Sequence, residues 1–185
     1  MRTKVLITGV EPFTGFKENP SEDVAKGLSA DVINGFSVVG TAIAYDSRAI
    51  RKNLLDIVVS VKPKFVLMMG QSFAPEERRI TLERVARNRV DYSKEKLVDN
   101  TGYQPEQGQI IRQARGRIET EIDVDRLEAL LAKRGMGVVV SDHAGYNFCN
   151  ETYFHVLAHR EELGCTALFA HLPPYKKRGE KWGNN

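Results

Sequence analysis

Cysteine is scarce in this chain. Its two thiols, Cys149 and Cys165, cannot build a disulfide framework, and that usage suits a reducing compartment. Long apolar runs are also missing. The longest, such as Phe65-Val66-Leu67-Met68-Met69, fall far short of the roughly 20 residues needed to cross a bilayer. Met1-Arg2-Thr3-Lys4 leads straight into the short run Val5-Leu6-Ile7, which is not the form of a signal peptide. A soluble, cytoplasmic protein with no membrane partner is expected. Blocks of single-sign charge are lacking too. Lys+Arg 27 against Asp+Glu 24 gives a formal charge of +3, a mixture that does not call for a nucleic acid.

What is present is enough apolar material for one core. At 185 residues and 42% hydrophobic, the chain is long enough for one globular domain and short for two. Short β-rich runs alternate with helix-periodic segments, which predicts a single-domain α/β fold: an open, twisted, mostly parallel sheet with helices on both faces. Val5 to Gly9 reads as the first strand. The loop Val10 to Pro20 leaves the sheet edge where ligands usually bind, so Phe13 and Phe16 are candidates for an apolar pocket wall or for the core. Gly9 and Gly15 lack the G-x-G-x-x-G spacing of a dinucleotide site. Ser21 is the expected cap of a helix with Val24, Ala25 and Leu28 on its apolar side.

Phe36 to Ala44 reads as a second strand and Asp46 to Val61 as a helix with Ile50, Leu54, Ile57 and Val58 at helical spacing. Lys64 to Met69 is a buried third strand that delivers Gly70 and Gln71 to the ligand-binding edge. The Gln71 amide can pair with a ligand amide through both donor and acceptor; the alternative is a solvated loop residue. After a loop containing Pro75, Arg79 to Asn88 alternates apolar and polar residues as a strand does. Arg78, Arg79, Arg84, Arg87 and Arg89 form the densest basic cluster, expected to be a solvated face balanced by Glu76, Glu77 and Asp91, since no aromatics are interleaved as a nucleic-acid platform requires. Asp91 to Arg117 reads as hairpins and an extended surface excursion. Asp123 or Asp125 caps a helix with Leu127, Leu130 and Leu131 that ends near Gly135, and Val138 to Ser141 is the next strand.

The chemistry gathers after that strand. Ser141 to Phe154 runs from a strand end through the small-residue turn Ala144-Gly145 into a helix with a cysteine in its first turn. Backbone N–H groups at a helix start lack intrahelical partners and carry partial positive charge. They favour a thiolate and can hold a developing oxyanion. The bland alternative is that Cys149 is a small buried hydrophobe. On the helix from Asn147 to Gly164, Cys149, Tyr153, Val156 and Leu163 share one side, and Glu151, His155, His159 and Glu162 share a polar one. His155 and His159 at i, i+4 resemble a metal pair, but there is no third ligand and no H-E-x-x-H pattern, so no metal site is expected. Cys165 to Ala170 is the last strand, with Cys165 in the core. Pro173 and Pro174 stop it and leave His171 at the edge. A right-handed crossover would put that edge beside the Cys149 turn, with His143 as the rival base. A thiol nucleophile needs such a base, and the imidazole needs an orienting acid. Glu83 is the candidate.

These residues resemble a known family. Gly9-Val10-Glu11-Pro12-Phe13, Gly70-Gln71, Ile80 to Asn88, Ala144-Gly145 to Cys149-Asn150 and His171-Leu172-Pro173 look like the ordered motifs of the pyrrolidone-carboxylate peptidases, or pyroglutamyl-peptidases I. The resemblance implies a cysteine peptidase on an α/β fold that removes an N-terminal pyroglutamyl residue from peptides and needs no cofactor. It further implies Cys149 as nucleophile, His171 as base and acid, Glu83 as orienter, Phe13 and Gln71 around the lactam ring, and a homo-oligomer, tetramer or dimer. The lactam is neutral, flat and small, which suits an aromatic wall and an amide partner. The chain departs from the pattern in three places. Val10 stands where phenylalanine is common and Thr14 where glycine is usual. Past His171 the family usually adds a final helix, whereas here the charged stretch 176–185 is expected to be a flexible tail. A non-catalytic small-ligand binder on the same fold is the alternative and predicts an unreactive Cys149. A nucleic-acid-associated protein using the arginines and the basic tail predicts steeply salt-dependent binding.

Overall fold

The computed structural model describes residues 2–13, 15–73, 78–93 and 97–175. Thr14, Pro75, Glu76, Glu77 and the tail 176–185 lie outside the described residues. Nine strands are present among those described: β1 (Lys4–Val10), β2 (Val32–Ile33), β3 (Phe36–Ile43), β4 (Phe65–Gln71), β5 (Ile80–Glu83), β6 (Val85–Arg87), β7 (Arg117–Glu119), β8 (Val138–Ser141) and β9 (Thr166–Leu172). Seven of them form one sheet in the order β2-β3-β1-β4-β9-β5-β8, and β6 pairs with β7 in a separate ribbon. The main sheet is mostly parallel, as expected; β2 on β3 and β5 on β9 are its antiparallel pairs.

Helices cover both faces. On one side α1 (Pro20–Gly27) and α3 (Val124–Ala132) pack Ala25, Val124 and Leu127 against Ile7, Met69 and Leu168. On the other, α2 (Ile50–Val61) and α4 (Phe148–Leu163) bring Ile50, Leu54, Val58, Phe154 and Leu157 onto Leu6, Val66 and Met68. The alternation of sides along β1 and β4 follows from the two-residue period of a strand, and the central strands are apolar on both sides because both faces are covered.

Local chemistry moved several boundaries. Asn19, not Ser21, caps α1. Its Oδ1 accepts from the Ser21 backbone N–H at 3.1 Å and Pro20 occupies the first turn, the arrangement that proline's missing donor favours. The Ser21 hydroxyl instead accepts from Val10 N–H at 3.0 Å, tying the helix start to the end of β1. Val24 is exposed and does not share the buried side of Ala25. Helix α2 starts at Ile50 because the Asp46 carboxylate accepts from Arg48 and Ala49 N–H and holds the chain in a turn first. The run expected as one strand from Arg79 to Asn88 breaks at Arg84, so that β5 joins the main sheet and β6 the ribbon. Asp123 caps α3 through Arg126 N–H at 3.0 Å. The excursion after Asp91 is organised by buried carboxylates: Asp99 accepts from the backbone N–H groups of Ser47, Thr101 and Tyr103.

Candidate active site

The site is a row of side chains laid across β4, β9 and β5. Gly70 pairs with His171 in the parallel β4–β9 ladder, and Phe169 pairs with Glu83 in the antiparallel β5–β9 ladder. Phe169 and His171 are two residues apart on one strand and therefore face the same way, so the Glu83 and His171 side chains are diagonal neighbours on the α4 face. The result is a 2.7 Å hydrogen bond between His171 Nδ1 and Glu83 Oε1. Glu83 is buried, and its backbone carbonyl accepts from the Tyr153 hydroxyl at 2.9 Å.

Cys149 comes to this row from above. It is the second residue of α4, after Asn147 in the cap position. The first α4 backbone donor with an intrahelical partner is Glu151, bonded to the Asn147 carbonyl, so the N–H groups before it point free at the helix start. The thiol fits over β4 because residue 70 has no side chain: a Cβ there would lie 2.7 Å from Cys149 Sγ. The sulfur thus stands beside His171, the strand partner of that same Gly70. Burial disfavours a charged His171, but its electrostatic and hydrogen-bonding interactions with Cys149, then with Glu83, outweigh it and raise the imidazole to about 10. The arrangement sets a thiol beside an imidazole that a buried carboxylate holds in place.

The route to this geometry differs from the expected one. Strand β8 runs parallel to β5 and β5 runs antiparallel to β9, so β8 and β9 are antiparallel and no right-handed crossover joins them. His171 and Cys149 meet because the loop from Asp142 to Asn147 turns the chain back, with Gly145 at φ 83, before α4 begins. His143 stays on that loop. Its Nδ1 accepts from Gly145 N–H at 3.0 Å and its ring packs on Tyr146.

A small, tight pocket opens beside Cys149. Phe13, Tyr45, Phe73 and Phe148 give it aromatic walls, with Val10 between them. Phe13 is buried, with ring centroids 5.2 Å from Phe73 and 5.7 Å from Tyr45. Gln71 also lines the pocket, and its buried Nε2 has no hydrogen-bond partner. A buried amide donor without a partner costs free energy unless a ligand supplies the acceptor. The pocket offers stacking surface, an amide and a nucleophile, with no charged clamp.

Comparison with known proteins decides the family. The pyroglutamyl peptidase family model matches residues 3–178. The chain belongs to this family. It is 34% identical over 172 residues to the pyrrolidone-carboxylate peptidase of Thermococcus kodakarensis, covering 92% of this chain and 81% of that protein. It is 29% identical to the pyrrolidone-carboxylate peptidase of Oceanobacillus iheyensis, over 94% of this chain and 85% of that one. Among solved structures, pyrrolidone carboxyl peptidase from the hyperthermophile Pyrococcus furiosus superposes with a TM-score of 0.86 at 29% identity, over 92% of this chain and 81% of that one.

Within this pyroglutamyl peptidase, several expected features take other places. His155 is buried in the α2–α4 packing, not on a polar face; burial, then the charges of His159 and Arg51, push it down to about 4. His159 Nδ1 bonds the His155 carbonyl of its own helix. No group of three metal-ligating side chains occurs among the described residues. In the arginine cluster, Arg84 bridges Asp125 and Asp142, and Arg89 pairs with Asp91 while lying over the Tyr146 ring. Among the described residues no helix is long and apolar enough to cross a membrane.

Sequence reasoning missed Tyr45, Phe73, Phe148 and Asn150. Asn150 is fully buried. Its amide donates to the carbonyls of Arg87 and Arg89 and its oxygen accepts from Arg87 N–H. Its place directly after the cysteine, as a polar residue entering an apolar helix, was the available signal. Tyr45 carried none, since only the folded chain brings the end of β3 to the pocket.

Proposed function

We propose that this pyroglutamyl peptidase cleaves the bond following an N-terminal pyroglutamyl residue, with Cys149, His171 and Glu83 as the catalytic residues and Phe13 and Gln71 holding the lactam ring. The observation that carries the reading is the continuous row from the buried Glu83 carboxylate through His171 to the Cys149 sulfur, ending at the mouth of an aromatic pocket.

The lactam lies against Phe13, and Gln71 Nε2 donates to its carbonyl. The Cys149 thiolate attacks the acyl carbon beside the ring, and the free N–H groups at the start of α4 hold the oxyanion. The carbon–nitrogen bond breaks, His171 gives its Nε2 proton to the leaving amine, and a thioester remains. Water then attacks the thioester, His171 takes its proton, and the carbon–sulfur bond breaks to release pyroglutamate and the thiolate. Glu83 keeps Nδ1 protonated throughout and stabilises the imidazolium. No cofactor enters.

The 185 residues act in this proposal as a single peptidase domain. Two free cysteines support a reducing, cytoplasmic setting. Exposed Val32, Ile33 and Phe36 on the β2–β3 edge support a homo-oligomer, dimer or tetramer.

The test is release of a fluorescent amine from a pyroglutamyl amide, with a prolyl amide as control. Turnover selective for pyroglutamyl, lost in Cys149→Ser and kept in Cys165→Ser, is the expected result. A folded wild-type protein that leaves the pyroglutamyl amide intact would overturn the proposal in favour of a ligand binder.

A further inference from the structure

A second, larger groove adjoins the pocket beside Cys149. It shares Gln71 and Phe73 with that pocket. Its lining combines three aromatic rings with Lys17, Glu18 and Arg78. Phe16, Phe73 and Tyr175 line it and remain 40%, 42% and 47% exposed. Buried Phe13 stacks on the inner side of two of them, with ring centroids 4.6 Å from Phe16 and 5.2 Å from Phe73. These rings therefore separate a closed pocket from an open groove.

The strand register sets the Gln71 edge of this groove next to the catalytic row. Gln71 pairs with Leu172, the residue after His171, and Ser72 N–H bonds the Leu172 carbonyl at 2.8 Å. Pro174 and Tyr175 leave the sheet at that same edge. The Tyr175 hydroxyl donates to Asp23 on α1 at 2.6 Å, which anchors this wall. His171 delivers its proton to the leaving amine, so the chain beyond that amine emerges at the edge where β4 and β9 end.

We propose that this groove binds the peptide that follows the pyroglutamyl residue, and that its aromatic walls select a large apolar side chain immediately after the scissile bond. The inference rests on the peptidase reading above. Three exposed rings gain most from an occupant that removes apolar surface from water. Small or strongly polar residues at that position leave the walls wet.

The proposal makes a kinetic distinction. The leaving peptide occupies the groove only until the carbon–nitrogen bond breaks and it departs with the His171 proton. What remains, a pyroglutamyl thioester on Cys149, is the same for every substrate. Groove contacts therefore act on acylation, which kcat/KM reports, and leave thioester hydrolysis unchanged.

The experiment compares pyroglutamyl-Leu-Gly with pyroglutamyl-Gly-Gly on the wild type, Tyr175→Ala and Phe73→Ala. The ratio of kcat/KM within one protein cancels whatever a variant does to the lactam pocket. The expected result is a Leu preference of about tenfold, reduced by about threefold or more in each variant, with one common rate of thioester hydrolysis in single-turnover measurements. A Leu to Gly ratio near one, or a ratio unchanged in both variants, overturns the groove while leaving the peptidase reading intact. Absence of turnover on both peptides, with no binding of either to Cys149→Ser by calorimetry, overturns the peptidase reading and the groove with it.

Discussion

A side-chain carbon on Gly70 would stand 2.7 Å from the Cys149 sulfur and 3.1 Å from Cζ of Phe169. The sulfur reaches the His171 row only because β4 is bare at that point. Gly70→Ala must displace the thiol, since the adjacent Phe169 ring is buried and cannot retreat. We expect a loss of about 100-fold in kcat/KM, the usual consequence of misplacing a reacting group by about 1 Å, with a stability change of only about 1–3 kcal/mol. Paired kinetics and denaturant melts check this. An alanine variant with native turnover would contradict it.

Glu83→Gln keeps the shape but removes the charge that helps hold the proton on His171. The imidazole is raised to about 10 in the folded protein from the 6.5 of a free histidine side chain. A raised histidine contributes stability that is complete below 6.5 and lost as pH rises through about 10, because the folded state alone keeps the proton in that window. The variant should therefore show a flatter fall of stability between these limits. Its alkaline limb of kcat/KM should move to lower pH, and kcat should drop about 100-fold or more. Matching pH profiles of wild type and variant would refute the role.

Gln71 is tested by its selectivity. Its unpartnered Nε2 is the donor we assign to the lactam carbonyl, a group that a prolyl ring lacks. Gln71→Ala should lower kcat/KM on a pyroglutamyl amide by about 10- to 100-fold while leaving the slow prolyl background unchanged. A uniform loss on both amides would mean that Gln71 only supports the fold.

Asn150 is structural on this account. Replacing it with alanine removes the amide that bonds two carbonyls and one N–H group of the Arg87–Arg89 segment. Equilibrium denaturation should register a loss of about 3 kcal/mol. A change below about 1 kcal/mol would show that water replaces the amide.

Glu151 carries a pH effect of opposite origin. Burial raises its carboxyl to about 7, opposed by the Tyr92 hydroxyl at 3.4 Å and reinforced by Asp99. The folded state holds this proton more tightly than the unfolded chain, whose carboxyl lies near 4.5. Stability thus falls as pH rises from 4.5 to 7. Glu151→Gln should be more stable than wild type at pH 8 by about 3 kcal/mol and show little gain at pH 4.5. An equal effect at both values would rule out titration as the cause.

The sequence spoke clearly where one short-range signal was sufficient. Strands β1, β4 and β9 are apolar runs with turn residues behind them, and the cysteine at the start of α4 follows a small-residue turn. Pairing between distant segments was harder to read. The Arg79–Asn88 run is continuous in its alternation, yet Arg84 turns outward to reach Asp125 and Asp142, and that tertiary choice splits it into two strands in two sheets. Strand β5 then enters between β8 and β9, parallel to the first and antiparallel to the second. His155 sits on a helix whose first half is buried nearly all round, so its spacing from Glu151 and His159 did not mark a solvated face. The pocket walls Tyr45, Phe73 and Phe148 come from separate parts of the chain and share no local pattern.

The central claim is that Cys149 carries the pyroglutamyl group between the two halves of the reaction. Wild-type protein mixed with excess pyroglutamyl ester, quenched in acid within the first turnover and digested, gives the direct measurement by mass spectrometry. The account predicts one pyroglutamyl group on the peptide containing Cys149, absent in Cys149→Ser and retained in Cys165→Ser. Turnover with no acyl group on that peptide, or with the group on Cys165, would contradict it.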